Sequence, residues 1–220
     1  MDRWLIEARN ASKWFEQGAS RVAAVSAVAC RVAPGDKIAV VGPSGSGKST
    51  LLYLLAGIEK PSDGAVLWPV FGATERLGPE CAGFAFQSAN LLAPLTVREN
   101  VALPLLLAGI DGEHAAQAAH DALERFDLAE LADRLPDDLS AGQAQRIGIA
   151  RAVVAEPAVV FADEPTGQLD GPTAAHVIGR LIEAAEAFGA ALIVATHDER
   201  VATRLSTCWT MAHGRLATPA

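Results

Sequence analysis

The stretch Gly42-Pro43-Ser44-Gly45-Ser46-Gly47-Lys48-Ser49-Thr50 constrains this chain more than any other. It fits the pattern Gly-x4-Gly-Lys-Ser/Thr, follows the apolar run Lys37-Ile38-Ala39-Val40-Val41, and leads into a helix-like segment over 49–57. A backbone that wraps an anion with its N–H groups aimed inward needs positions with no Cβ in the way, and the three glycines supply them. Lys48 offers a positive charge to β and γ phosphates, and the Ser49 hydroxyl offers an oxygen ligand to Mg2+. A helix starting near Lys48 turns its positive end toward the same anion. At ordinary glycine usage a chance match in a chain this long is roughly a 1% event. Residues 42–50 are therefore read as a phosphate-binding loop.

Two further short runs end at polar punctuation. Ala158-Val159-Val160-Phe161-Ala162 precedes Asp163, and Ala191-Leu192-Ile193-Val194-Ala195 precedes Thr196-His197-Asp198. Short continuous apolar runs suit strands buried on both faces, as in a parallel sheet. Between them the pattern predicts helices over 113–126, 142–155 and 173–188. The first is amphipathic, with Ala115, Ala118, Ala119, Ala122, Leu123 and Phe126 on one side. Strands alternating with helices give an α/β fold with a phosphate-loop sheet. The stretches 1–36 and 64–86 read instead as short strands with turns, forming a small antiparallel lobe. Residues 88–156 hold no convincing strand and read as a helical lobe. A chain of 220 residues accommodates all of this as one domain, 1–220.

Composition removes several classes. Half the residues are hydrophobic and 20% are charged, which excludes wholesale disorder. No apolar stretch reaches the ~18 residues of a membrane-spanning helix; the longest candidate, 101–110, is interrupted by Pro104. The opening Met1-Asp2-Arg3-Trp4-Leu5-Ile6-Glu7 carries charges where a signal peptide needs its apolar run. The expectation is a soluble cytoplasmic chain. Its net charge of -8 argues against a broad nucleic-acid surface, but leaves room for a local phosphate site. Cys30, Cys81 and Cys208 are widely spaced and read as reduced core thiols, in preference to a disulfide or a metal site. The five histidines form no metal-binding pattern.

The carboxylates Asp163-Glu164 end their run where a parallel sheet of this kind places a second nucleotide element. Asp163 can hold Mg2+ through water, and Glu164 can accept a proton from an attacking water. Alone, such a pair is common. It does not stand alone. Leu139-Ser140-Ala141-Gly142-Gln143 resembles the LSGGQ signature of ABC ATPases, and Gln145-Arg146-Ile147-Gly148-Ile149-Ala150-Arg151-Ala152 its continuation. Asp163-Glu164-Pro165-Thr166-Gly167-Gln168-Leu169-Asp170 is similar to that family's joined Walker B motif and D-loop. Phe84-Ala85-Phe86-Gln87 resembles its Q-loop, and Thr196-His197-Asp198 its switch histidine. The motifs fall in the family's order from Phe15 to His197, over nearly the whole chain.

The resemblance implies a RecA-like, mostly parallel core with an antiparallel β lobe and an ABC-type helical lobe. It implies ATP and Mg2+ as cofactors and ATP hydrolysis as the activity. Phe15 lies where the family places an adenine-stacking aromatic; Trp14 competes for the role, and core packing is the alternative for either. Gln87 would touch Mg2+ or the water, although a lone glutamine is usually a solvated surface residue. Ser140 and Gly142 would bind the γ-phosphate held by a second copy, His197 would sense that phosphate, and Asp170 would reach the opposite phosphate loop. ATP sandwiched in this way implies an isologous homodimer. The partner implied is a separate transmembrane permease subunit, with the chain peripheral on the cytoplasmic face of the inner membrane.

Departures narrow the subgroup. Ala141 replaces the middle glycine of the signature, which costs little at negative φ but would strain a left-handed backbone. The segment 64–86 is shorter than in many relatives, which carry a helix before the Q-loop. Little sequence follows His213-Gly214-Arg215, so the regulatory domain of sugar importers is not expected. Thr166-Gly167-Gln168-Leu169-Asp170, Leu95-Thr96-Val97-Arg98-Glu99-Asn100-Val101 and Leu103-Pro104-Leu105-Leu106-Leu107-Ala108-Gly109 together look most like the lipoprotein-release and macrolide-export branch, the LolD/MacB type. Its members partner a membrane subunit with a large extracytoplasmic domain. The alternatives are a force transmitter of the cell-division kind and a soluble ABC-type ATPase of DNA repair or translation. The latter normally carries long coiled coils or two cassettes, and neither is present. A groove for the permease is expected near 87–104.

Overall fold

The computed structural model describes residues 4–18, 20–72 and 77–217. In chain order its elements begin with β1 (Ile6–Gln17), β2 (Ser20–Val32), β3 (Lys37–Val41), α1 (Lys48–Leu55), β4 (Asp63–Leu67) and β5 (Ala82–Ala85). Then come α2 (Val97–Leu107), α3 (Gly112–Arg125), α4 (Ala141–Val153), β6 (Val159–Asp163) and α5 (Gly171–Phe188). The last are β7 (Ala191–Thr196), α6 (Glu199–Ala202), β8 (Thr207–Ala212) and β9 (Arg215–Ala217). The chain divides into two compact units, Met1–Leu77 with Ala191–Ala220, and Gly78–Ala190.

In the first unit β1 pairs antiparallel with both β2 and β4. A second set of strands has β3 at its centre, parallel to β7 on one side and to β8 on the other, with β9 antiparallel to β8. Every residue of β7 is buried, as its unbroken apolar sequence predicts. The helix α1 turns Leu51, Leu52, Leu54 and Leu55 inward, each at most 1% exposed. Burying side chains of this kind stabilises by about 1.5–3 kcal/mol each. The rigid base of the phosphate loop is built by this packing.

In the second unit β5 and β6 run parallel, from Ala82 opposite Val159 to Ala85 opposite Ala162. The strand β6 is buried throughout. Helices α2, α3 and α4 and two 3-10 turns, Ala129–Leu131 and Pro136–Asp138, fill the stretch between the two strands. A Cβ on Gly83 would collide with the Ala152 carbonyl, so β5 lies against the end of α4 and tolerates no side chain there. Helix α2 starts on a capping box, with Thr96 Oγ1 accepting from the Glu99 N–H and Glu99 returning the bond to the Thr96 N–H.

The three strands and four helices expected from the pattern form within two residues of their expected bounds. Two expectations are corrected. Among the described residues of the stretch 64–86 only β4 joins the antiparallel sheet; β5 pairs in parallel with β6 instead. Among the three cysteines, all free thiols, Cys30 alone is buried; Cys81 is half-buried and Cys208 is exposed on the alternating strand β8. Burial pushes the Cys30 thiol up to about 12, so it stays protonated and inert. Helix α2 contains Pro104 in its interior. Between β4 and β5 the described residues form a 3-10 turn, Pro69–Phe71, and the charged opening Met1-Asp2-Arg3 and residues 73–76 lie outside the described residues.

Candidate active site

The first unit carries the phosphate loop and the histidine. Val41, the last residue of β3, lies opposite Thr196, the last of β7. That register sets Gly42 and His197 side by side, just past the carboxyl ends of two parallel strands, the end at which such sheets bind ligands. Gly47 caps α1 at φ 102°, and a Cβ there would run into the Ala24 carbonyl. Gly47→Ala should therefore lower stability by about 1–3 kcal/mol from backbone strain, with overpacking adding to it. A urea midpoint equal to that of the unmodified chain would contradict this close approach.

Within the loop the Ser46 N–H donates to the Pro43 carbonyl at 3.2 Å, and the Gly214 N–H donates to the Ser46 carbonyl at 3.0 Å. Lys48 is 7% exposed, and its Nζ donates to the carbonyls of Gly42 at 2.9 Å and Pro43 at 3.3 Å. Pro43, Ser44 and Gly45 are exposed at the tip, while Ser49 and Thr50 are half-buried in the first turn of α1. The Ser46 hydroxyl is buried without a hydrogen-bond partner among the described residues. A cavity of about 680 Å3 opens beside the loop, lined by Gly42, Pro43, His197, Glu199 and Cys208. His197 is exposed. Its neighbour Asp198 caps α6 and pairs with Arg200 at 2.8 Å, and that guanidinium holds the Asp198 carboxyl below the usual range.

Phe15 projects from β1 at 42% exposure, with the Lys13 ammonium 5.2 Å from its ring centre. Trp14 is half-buried, with the Arg21 guanidinium 5.6 Å from its ring. The more exposed ring, Phe15, is the one suited to stack on a flat ligand.

The second unit carries the carboxylates and the signature. Asp163 ends β6 at 1% exposure, and Glu164 follows it, half-buried, with a left-handed backbone at φ 47°. Because Ala85 lies opposite Ala162, Gln87 and Glu164 occupy matching positions two residues beyond the paired ends. Gln87 is exposed. Downstream, the Gly167 N–H donates to the Glu164 carbonyl and the Leu169 N–H to the Thr166 carbonyl, each at 3.1 Å. These turns deliver Asp170 to the N-terminus of α5. There its carboxylate accepts from the Thr173 N–H and from the Thr173 hydroxyl, each at 3.0 Å. The backbone N–H bond is the larger cause of its lowered pKa.

Ser140 caps α4 in a second capping box, accepting from the Gln143 N–H at 3.2 Å while the Gln143 carboxamide accepts from the Ser140 N–H at 2.9 Å. The spacing Ser-x-x-Gln was the sequence signal for this cap. A serine hydroxyl that accepts one bond still has its own proton to donate, so the cap leaves Ser140 able to bind an anion at the helix N-terminus. Ala141 opens α4 and is not among the residues with positive φ, so the replaced glycine introduces no strain. Gly142 packs on the D-loop segment, since a Cβ there would come within 3.1 Å of Leu169 Cδ2.

Sequence reasoning assigned nothing to Gln145, Gly148 and Arg151, which meet residues 86–90. Gln145 Nε2 donates to the Phe86 carbonyl at 3.2 Å, and Arg151 donates to the carbonyls of Ala89 at 2.5 Å and Asn90 at 3.0 Å. Their i, i+3, i+6 spacing on one helix face was the available signal. Beside them a groove of about 400 Å3 is lined by Phe84, Phe86, Leu103, Pro104, Leu107 and Arg151. Leu107 is 79% exposed.

A family model described as ABC transporter matches residues 25–167. The chain is 39% identical, over 98% of its length and 98% of the relative's, to a protein of Legionella pneumophila (strain Paris) named lipoprotein-releasing system ATP-binding protein LolD. It is 37% identical over 96% of its length, and 88% of the relative's, to an uncharacterized ABC transporter ATP-binding protein of Mycobacterium tuberculosis. Among solved structures it superposes on the ATP-binding cassette MJ0796, a dimeric post-hydrolysis state bound to ADP and Pi. That match has a TM-score of 0.88 at 30% identity and covers 97% of this chain and 98% of the other. With a phosphate loop in one unit and the Asp163-Glu164 pair and capped signature helix in the other, the chain belongs to the ABC transporter family as an ATP-binding and ATP-hydrolysing subunit.

Proposed function

We propose that this subunit powers lipoprotein release or a related export or force-transmitting process at the outer side of a membrane, through a separate transmembrane subunit that bears a large extracytoplasmic domain. The observation that carries the reading is the end-to-end 39% identity to a protein named for lipoprotein release. Among the described residues no helix is long and apolar enough to cross a membrane, and on this reading the spanning role belongs to the separate subunit. The chain sits on the cytoplasmic face of the inner membrane. Its apolar groove at Phe84, Leu103 and Leu107 has the character of a seat for a short helix of that partner.

On this reading ATP lies on the phosphate loop, with its adenine on Phe15 and its phosphates held by Lys48 and the loop N–H groups. Glu164 takes the proton of the attacking water, and His197 donates to the γ-phosphate. The Ser49 hydroxyl, the Gln87 carboxamide and the Asp163 carboxylate are all hard oxygen donors, the set that Mg2+ prefers. When bound, that ion neutralises charge on the phosphates. Two copies pair, as in the dimeric cassette, with Ser140, Gly142 and Asp170 of each facing the nucleotide held by the other. Charge-assisted contacts to the γ-phosphate then hold the dimer until hydrolysis removes them.

The test is to add the Glu164→Gln chain with ATP to detergent-solubilised membranes and identify what co-purifies. A subunit with few spans and a large outer domain is expected. A many-span subunit lacking that domain would remove the release-and-export assignment, and recovery of no membrane protein would remove the membrane role as well.

A further inference from the structure

Residues 86–96 have no helix or strand, yet they carry Gln87 and are held from two sides. On the far side Asn100, fully buried, accepts from the Leu92 N–H at 2.7 Å and donates to the carbonyls of Leu92, Leu95 and Thr96. On the near side the grip comes from one face of α4. Gln145, 2% exposed, holds the Phe86 carbonyl; Gly148 meets the Ala89 Cα, which would lie 3.3 Å from an added Cβ; Arg151 holds the Ala89 and Asn90 carbonyls. Three of the five carbonyls from 86 to 90 thus accept from a single rigid helix. Its first turn is the signature itself, Ser140 to Gln143.

We propose that Gln145 and Arg151 are positioning residues, which lock the backbone of 86–90 to α4 so that Gln87 and the signature end of that helix move as one piece. Neither side chain touches the nucleotide on this account; both act through Gln87. The proposal deepens the function given above and rests on its reading of Gln87 as a contact of the metal or the water. Arg151 also lines the groove beside Leu103 and Leu107, so the seat assigned to the membrane partner and the grip on Gln87 share one guanidinium. Burial of that group lowers its pKa somewhat, but a guanidinium stays charged at any physiological pH. Bonds from a charged donor to carbonyls are stronger than neutral ones, so removing Arg151 loosens the segment more than removing Gln145.

The experiment compares Arg151→Met, Arg151→Lys and Gln145→Met in the full chain, with Gln87→Ala as reference. Amide hydrogen exchange, steady-state ATP hydrolysis and ATP affinity are measured for each. Arg151→Met should speed exchange over 86–91 by about 10-fold and lower kcat by a similar factor, with the affinity for ATP within about twofold. Arg151→Lys, still a charged donor with single-point geometry, should recover part of both losses. Gln145→Met keeps the volume and should give a smaller change of the same kind. A merely structural role would raise exchange along all of α4 and lower the melting temperature without separating kcat from affinity, and that pattern overturns the proposal. Unchanged exchange over 86–91 overturns it as well. If Gln87→Ala lowers kcat and Arg151→Met does not, the positioning role fails while the reading of Gln87 stands. If Gln87→Ala leaves kcat intact, the reading of Gln87 fails and takes the positioning role with it.

Discussion

Replacing Glu164 with glutamine is expected to lower ATP turnover by about 10²–10⁴-fold, the range for loss of a positioned general base. ATP binding should remain. The carboxamide has the shape of the carboxylate but cannot take a proton, and residue 164 is only half-buried, so packing barely changes. The neighbouring Asp163, buried at the end of β6, is untouched. A site that binds ATP without cleaving it keeps every γ-phosphate contact, so the ATP-bound dimer should persist in sedimentation experiments where the unmodified chain returns to monomer. Single-turnover hydrolysis at the original rate would remove Glu164 as the base and direct attention to another group near the phosphate.

Lys48→Ala should raise the dissociation constant for ATP by about 10–100-fold, the equivalent of losing charged hydrogen bonds of ~1.5–3 kcal/mol. Two effects combine. The ammonium is the buried positive charge of the loop, and it also ties the loop to itself through the Gly42 and Pro43 carbonyls at 2.9 and 3.3 Å. Alanine removes both. Lys48→Arg should rescue little, because a planar fork cannot fit a site only 7% exposed and shaped for a point charge. Equilibrium titration with a fluorescent ATP analogue reads the change, and a melting curve without nucleotide separates it from loss of the fold. Unchanged affinity would contradict the assignment of 42–50 as the phosphate loop.

Much of the fold was legible because its strongest signals are local. The apolar runs before Gly42, Asp163 and His197 became β3, β6 and β7, and each ends where its motif begins. The error at β5 has a tertiary cause. Ala82-Gly83-Phe84-Ala85 has no β-branched residue, and only its pairing with β6 and the close approach of the Ala152 carbonyl show where it belongs. Strand β8 alternates exposed and buried positions, unlike the continuous runs used to find its neighbours. Helix α2 starts on the Thr-x-x-Glu capping box at 96–99 and runs through Pro104 to Leu107, although its buried residues, Val97, Asn100, Val101 and Ala102, all precede the proline. The candidate site residues were proposed from motifs. The side chains that hold the segment carrying Gln87 were harder to find: Asn100, Gln145 and Arg151 bond to backbone carbonyls, so their partners are not marked by residue type, and only the spacing of Gln145 and Arg151 on one helix face hinted at a shared role.

The left-handed backbone of Glu164 bears on how this chain could be engineered. A glutamate at φ 47°, unlike glycine or asparagine, stores about 1–3 kcal/mol of strain. A library ranked by heat tolerance alone would therefore drift at position 164 toward glycine or asparagine, both at ease in that conformation, and would be rewarded for it. With Glu164 as the base proposed above, the hardest survivors of such a screen would be inactive, so any campaign to toughen this ATPase must score turnover in the same round.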